Sequence, residues 1–194
     1  MRRSEIIRKT KETDIKVSLD IDGKSMLNIN TGIGFFDHML ESMGTHGFMD
    51  LDIQCKGDLH VDQHHSVEDI GIVLGKAIKE ALGNKKGIKR FSAVYTPMDE
   101  ALSMVAIDIS GRSFLQYNVP LLNSCIGNFE ISLVEEFFRA IANNAEITLH
   151  INLNYGKNTH HIIESVFKGF GRALNEATKH HEGIDQVIST KGTI

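Results

Sequence analysis

The sequence predicts an α+β fold in which one half-domain is used twice, each copy a mixed sheet covered on one face by two helices. Three matches within the chain carry this expectation, and they recur in the same order. A strand-like run ending in a Gly turn, a short acidic-apolar segment followed by a second strand, and a helical segment opening with His-His each occur twice. One such match is within the reach of chance. Three in the same order point to duplication of a unit of about 90–100 residues, a size at which a lone core is still modest.

The first element is the alternating run Val17-Ser18-Leu19-Asp20-Ile21-Asp22-Gly23-Lys24-Ser25, matched by Val105-Ala106-Ile107-Asp108-Ile109-Ser110-Gly111-Arg112-Ser113. Period-two alternation before a Gly marks a half-buried strand entering a tight turn. Next, Asp37-His38-Met39-Leu40 aligns with Glu135-Glu136-Phe137-Phe138 as the start of a first helix in each half. Leu51-Asp52-Ile53 and Ile147-Thr148-Leu149-His150-Ile151 then alternate again as strands. Last come residues 64–82, HHSVEDIGIVLGKAIKEAL, and 160–178, HHIIESVFKGFGRALNEAT, related by a constant offset of 96. Val67, Ile70, Leu74, Ile78 and Ala81 repeat in phase as Ile163, Val166, Phe170, Leu174 and Ala177, the single buried face of an amphipathic helix. The turn-rich, charged stretch Gly83-Asn84-Lys85-Lys86-Gly87 divides the chain into residues 1–86 and 87–194, two half-domains of one compact unit.

Composition narrows the function classes. The net charge is −4, which argues against a basic nucleic-acid footprint and a nucleic-acid partner. No stretch approaches the roughly 20 apolar residues of a membrane helix, and the basic start MRRSEIIRKTKETD lacks the apolar core of a signal peptide. The two cysteines, Cys55 and Cys125, have no partner at metal or redox spacing, so a reduced, cytoplasmic protein without membrane association is expected. Histidine is the unusual component of the composition, with ten copies.

Four of those histidines stand at the paired helix starts. On a helix i, i+3 and i+4 share a face, so His64, His65 and Glu68 fall in one wedge, as do His160, His161 and Glu164. Adjacent histidines diverge too far to serve one ion from a rigid helix, and are placed to reach two ions, or an ion and a substrate. Imidazole and carboxylate donors without thiolates suit Mn²⁺, Fe²⁺ or Zn²⁺ at a non-structural site. A single His-His-x-x-Glu is as well explained by polar residues at a helix start; its recurrence in a duplicated unit favours metal. His38, in Phe35-Phe36-Asp37-His38-Met39, is a further candidate, with Glu136 as its repeat mate. On helix statistics alone Glu136 is a surface residue beside Glu135. His46, His60 and His150 lie near strands or turns, and His180-His181 have no acidic partner at i+3 or i+4.

Cationic groups are available for an anion: Arg90 after Gly87, Arg112 after Gly111, Lys168 two helical turns beyond His160-His161, and Lys191 in Ser189-Thr190-Lys191-Gly192. Hydroxyls beside Lys and Gly can hold phosphate through backbone N–H groups and an ammonium charge. Taken singly, each reads as a solvated surface charge.

Together these motifs resemble a known family. FDHM (36–39), GDLHVDQHHSVEDIGIVLG (57–75), RFSAVYTPMDEAL (90–102), DISGRS (108–113), THHIIESVFKGFGRAL (159–174) and STKG (189–192) are similar to imidazoleglycerol-phosphate dehydratases, from Glu12 to Gly192. The resemblance implies two similar α+β halves, a stand-alone enzyme and a homo-oligomer of twenty-four chains. It implies two Mn²⁺ per active site, shared between neighbouring subunits. By matched motif, His38, His64, His65, Glu68, His160, His161 and Glu164 would bind metal; many members carry a histidine ligand where this chain has Glu136. Arg90, Arg112, Lys168, Ser189 and Lys191 match positions that bind the substrate phosphate, and Glu12 matches an acid/base and substrate-binding carboxylate. His38 and Glu164 are expected to join Glu12 in the chemistry.

The reaction so implied is the loss of water from imidazole glycerol phosphate to give imidazole acetol phosphate, in histidine biosynthesis. The proton at C2 has no neighbouring carbonyl to acidify it. Divalent ions on both ring nitrogens would make the ring an imidazolate able to expel the C3 hydroxyl, after which a carboxylate or histidine can take the C2 proton. Two rivals share the same residues. A dinuclear hydrolase would show phosphatase or peptidase activity with Mn²⁺. An RNA-binding module would show salt-dependent binding without metal.

Overall fold

The computed structural model describes residues 2–120 and 124–192. The first half runs β1 (Arg3–Lys9), β2 (Thr13–Asp20), β3 (Leu27–Asn30), α1 (Gly34–Gly47), β4 (Asp50–Gly57) and α2 (His64–Leu82). The second runs β5 (Phe91–Met98), β6 (Ala101–Asp108), β7 (Phe114–Asn118), β8 (Cys125–Ile126), β9 (Phe129–Glu130), α3 (Leu133–Ala145), β10 (Thr148–Tyr155) and α4 (Thr159–Thr178). The strand orders are β1-β2-β4-β3 and β5-β6-β10-β7, each with one parallel pair, β3 on β4 and β7 on β10. Val17 faces Ile53 in one sheet, and their mates Val105 and Ile151 face each other in the second. The α+β duplication expected from the sequence is therefore present down to strand register.

Alternation of the strands explains why one face of each sheet is apolar. Ile15, Val17, Leu19, Leu51 and Ile53 point inward in the first sheet, and Val105, Ile107, Leu149 and Ile151 in the second. The helices cover those faces and meet in the middle, α1 packing on α4 and α2 on α3, so four helices form a layer between two sheets. One continuous core results. Its centre is aromatic: Phe36 of α1 meets Phe137 of α3 edge-on at 5.1 Å, and Phe137 stacks on Phe167 of α4 at 5.5 Å. Buried aromatic pairs favour such offset-stacked or edge contacts and dominate core energetics.

Glycine sets how closely the helices cross. A Cβ on Gly171 would lie 2.2 Å from the Met43 carbonyl oxygen, and one on Gly75 would lie 2.8 Å from Asn144 Cβ. These are repeat mates, each at a crossing between halves. Gly171→Ala must push α4 off the α1 backbone, and is expected to destabilise the fold by about 3 kcal/mol or more. Urea unfolding followed by circular dichroism measures this; an unchanged midpoint would show that the crossing can relax.

The halves differ between β7 and α3, where additional residues form the β8–β9 hairpin. Its Phe129 is buried against Phe35 (5.2 Å) and Phe36 (6.0 Å), and so leans on the segment that carries His38.

Candidate active site

The crossing of α1 with α4 brings His38 together with His160 and Glu164, with one donor atom from each within 4.8 Å of the others. His160 and Glu164 stand one turn apart on α4, Nε2 to Oε2 3.4 Å, and the His38 and His160 rings are 5.6 Å apart. Asn158 caps this helix, its side-chain oxygen accepting the His160 N–H at 2.9 Å, which fixes where the first turn begins. Phe35 sets its ring nearly perpendicular to His160 at 5.3 Å. Glu164 is the buried member, and its other carboxylate oxygen lies 2.7 Å from Lys168 Nζ. Burial alone would raise the Glu164 pKa. The hydrogen bond and charge of Lys168, with His38 and His160, outweigh burial and hold it below the ordinary carboxylate value.

The start of α2 repeats the pattern in a more open form. His64 Nε2 lies 3.5 Å from Glu68 Oε2, both partly exposed, and Asp62 accepts the His64 backbone N–H at 2.8 Å. Glu136, the mate of His38, stands on α3 with its carboxylate 3.8 Å from Arg139 Nε. Among the described residues, the one three-donor group within the chain is that of His38, His160 and Glu164.

His65 and His161 share the helix wedges expected of them but turn away from their neighbours, at interplanar angles of 87° and 81°. His65 Nδ1 meets Asp58 at 3.0 Å, while its Nε2 is 3.8 Å from Glu12, a half-exposed residue of the β1–β2 turn. His161 Nδ1 meets Glu100, in the β5–β6 turn, at 2.7 Å, and its Nε2 is 3.8 Å from Asp99. Hydrogen bonds to Asp58 and Glu100 raise the pKa of the two imidazoles. The Glu100 carboxyl is pushed down to about 2, first by His161 and next by the Asn158 N–H. Sequence reasoning did not single out Asp58 or Glu100. The offset that relates β2 to β6 places Glu100 opposite Glu12, and is the signal that would have found it.

The basic residues divide between two places. Arg90, Arg112, Ser189 and Lys191 line one cavity of about 700 Å³ beside the C-terminal segment. Arg90 is held there by Asp108 (2.7 and 3.2 Å) and by the Ile188 carbonyl (2.6 Å). Lys168 is not part of it: its Nζ lies on Glu164 and 3.4 Å from Met98 Sδ, beside the group of His38, His160 and Glu164. The two places are at opposite ends of the second half. Arg90 N–H donates to the Ala177 carbonyl, near the end of α4, whereas His160 opens that helix. Seventeen residues at about 1.5 Å rise separate them by roughly 25 Å. The eight residues of β5, at about 3.3 Å each, give a similar span.

Three further histidines make contacts outside these groups. His46 Nδ1 faces the Ser42 carbonyl, His181 Nδ1 the Glu182 carbonyl, and His150 lies beside Phe114 on the outer face of the second sheet.

Comparison with known proteins places this geometry. A family profile described as imidazoleglycerol-phosphate dehydratase matches residues 31–174. The imidazoleglycerol-phosphate dehydratase of Clostridium kluyveri is 59% identical over 194 residues, covering 100% of both chains. That of Acetivibrio thermocellus is 57% identical over 193 residues, covering 100% of this chain and 99% of its own. The crystal structure of the Staphylococcus aureus enzyme superposes with a TM-score of 0.84 at 42% identity, covering 92% of this chain and 99% of that one. The Pyrococcus furiosus structure superposes with a TM-score of 0.84 at 38% identity, covering 97% and 100%. With the matching profile spanning both paired-histidine helices, and relatives aligned from end to end, the chain belongs to the imidazoleglycerol-phosphate dehydratase family.

Proposed function

We propose that this chain dehydrates D-erythro-imidazole glycerol phosphate with the help of two Mn²⁺ per active site, and that neighbouring copies complete each site. The reaction itself, a hydro-lyase step of histidine biosynthesis, follows from family membership. The donor group of His38, His160 and Glu164 supports the metal. Ligand atoms about 2.1 Å from an ion lie about 3.0–3.4 Å from one another, and the His160–Glu164 separation of 3.4 Å already has that value. Two imidazoles and an ionised carboxylate suit Mn²⁺ better than a thiolate-seeking ion. His64 and Glu68 offer a second pair, with His65 and His161 contributing Nε2 and Glu136 the carboxylate that mirrors His38. When bound, the ions supply Lewis acidity to the two ring nitrogens, favouring the imidazolate form of the substrate.

The protein's own groups do the rest. Glu12 is half-exposed and its carboxylate stands 3.8 Å from His65 Nε2, beyond hydrogen-bond reach, so it is free to take or return a proton at C2. Lys168 keeps Glu164 charged. Arg90, Arg112, Ser189 and Lys191 receive the phosphate, where Arg90 is pre-set by Asp108. Lys191→Ala is expected to raise KM about tenfold with little change in kcat, as for a contact shared by ground and transition states. Steady-state kinetics separates this from a role in the chemistry, which would lower kcat at unchanged KM.

The observation that carries the assembly is the separation of roughly 25 Å between donor group and anion cavity. An imidazole ring, three carbons and a phosphate span roughly 10 Å at ordinary bond lengths, so one chain cannot hold both ends of one substrate. A second copy brings its anion cavity to the first copy's donors. Phe91, Tyr95 and Phe114, exposed on the outer face of the second sheet, provide apolar surface for such contacts. An assembly of twenty-four chains in the cytoplasm is the form proposed. No helix is long and apolar enough to cross a membrane among the described residues. Production of imidazole acetol phosphate by the purified, metal-loaded protein tests the function.

A further inference from the structure

We infer that the two equivalent turn carboxylates left by the duplication have divided their roles: Glu100 is a positioning residue that holds His161 with Nε2 free for metal, whereas Asp58 does this for His65 and leaves Glu12 free for the substrate. The inference rests on the metal reading above. Glu12 and Glu100 each directly precede the second strand of their half, and the flanking registers match, Ile6 on Val17 and Val94 on Val105. They therefore began in one environment, at the edge of the His-His helix start.

What separates them is the next connection. A Cβ on Gly57 would meet the Ser66 side chain and Thr13; one on Gly156 would meet Ile162 and Ala101, the repeat mates of those two residues. Gly57 and Gly156 therefore occupy equivalent positions in the two halves. The residue that follows is Asp58 in the first half and Lys157 in the second. Asp58 turns its carboxylate onto His65 Nδ1 at 3.0 Å and takes the orienting role. A lysine cannot accept an N–H, and in the second half Glu100 does so instead, at 2.7 Å from His161 Nδ1. Glu100 is fully committed: its other oxygen accepts the backbone N–H groups of Asn158 (2.7 Å) and Lys157 (3.2 Å), which also ties it to the α4 cap.

An imidazole whose Nδ1–H is held by a carboxylate presents Nε2 as its lone-pair nitrogen, in a fixed direction and with raised basicity. Removing such a partner weakens metal affinity without removing a ligand.

Mn²⁺ binding to the chelated protein, read without substrate from the electron paramagnetic resonance of free Mn²⁺, tests the division. E100Q and D58N should each weaken affinity by about 10–100-fold, with E100D recovering most of the loss. E12Q should bind Mn²⁺ as wild type does yet lose turnover that added Mn²⁺ does not restore, whereas the turnover lost in E100Q and D58N returns as Mn²⁺ is raised. Wild-type Mn²⁺ affinity in E100Q and D58N, or an E12Q defect equal to theirs, would overturn the division. A wild-type chain that binds no Mn²⁺ would overturn the metal reading and this inference with it.

Discussion

His160→Ala is expected to release metal from the donor group of His38, His160 and Glu164 and to lower turnover by about a thousandfold. The histidine supplies a nitrogen beside a carboxylate already held at ligand spacing, 3.4 Å away. Its loss leaves two donors, His38 and a Glu164 already paired with Lys168, a poor site for a divalent ion. Lewis-acid stabilisation of several kcal/mol then disappears, and about 4 kcal/mol corresponds to a factor of about 10³ in rate. The fold should survive, because His160 sits at a helix start and its ring packs against Phe35 and His38 rather than within the apolar core. His46→Ala, with Nδ1 facing a backbone carbonyl, serves as the control. Metal content measured on the same fractions as the assay separates loss of the ion from loss of the protein. Near-normal turnover of a His160→Ala protein that still holds its metal would remove His160 from the site.

A second large effect is expected from mixing two inactive variants. Arg112→Ala damages the anion cavity and His160→Ala the donor group, which lie roughly 25 Å apart in one chain. If each site joins the donors of one copy to the cavity of another, assemblies formed from an equal mixture contain sites with both parts intact. If the chain forms a closed symmetric oligomer as proposed, random assembly makes about a quarter of the sites competent, a large gain over either parent. Denaturing and refolding the variants together, or producing them in one cell, gives the mixture; refolding each alone gives the baseline. No recovery would mean that both parts of a working site come from one chain.

The repeated helices were legible because periodicity is strong over nineteen residues, and because His-His is rare enough to mark the frame. Val17 and Val105 read as one strand used twice for the same reason, an alternation long enough to count. β8 and β9, two residues each, carry no period, and the sequence did not announce them. β1 was hidden differently: the basic start presents a mostly exposed strand whose inward side is only partly buried, so its alternation is weak. The donors were legible as i, i+4 pairs. That His38 joins His160 was not, since periodicity gives a helix its buried face but does not say which helix will cover it. Lys168 illustrates the same limit: it stands with Arg90 and Arg112 by motif, but the fold places it on Glu164. Asp58 and Glu100 are not legible in the sequence because acidic residues in turns ordinarily face water. Only the folded geometry puts them on imidazole nitrogens.

The dependence of turnover on bound metal tests the account most directly. The protein is stripped with a chelator, its metal content measured, and formation of imidazole acetol phosphate followed as Mn²⁺ is returned. The account predicts no turnover at zero metal and a rise that levels off at two Mn²⁺ per chain. Full turnover of a chain shown to contain no metal would contradict it.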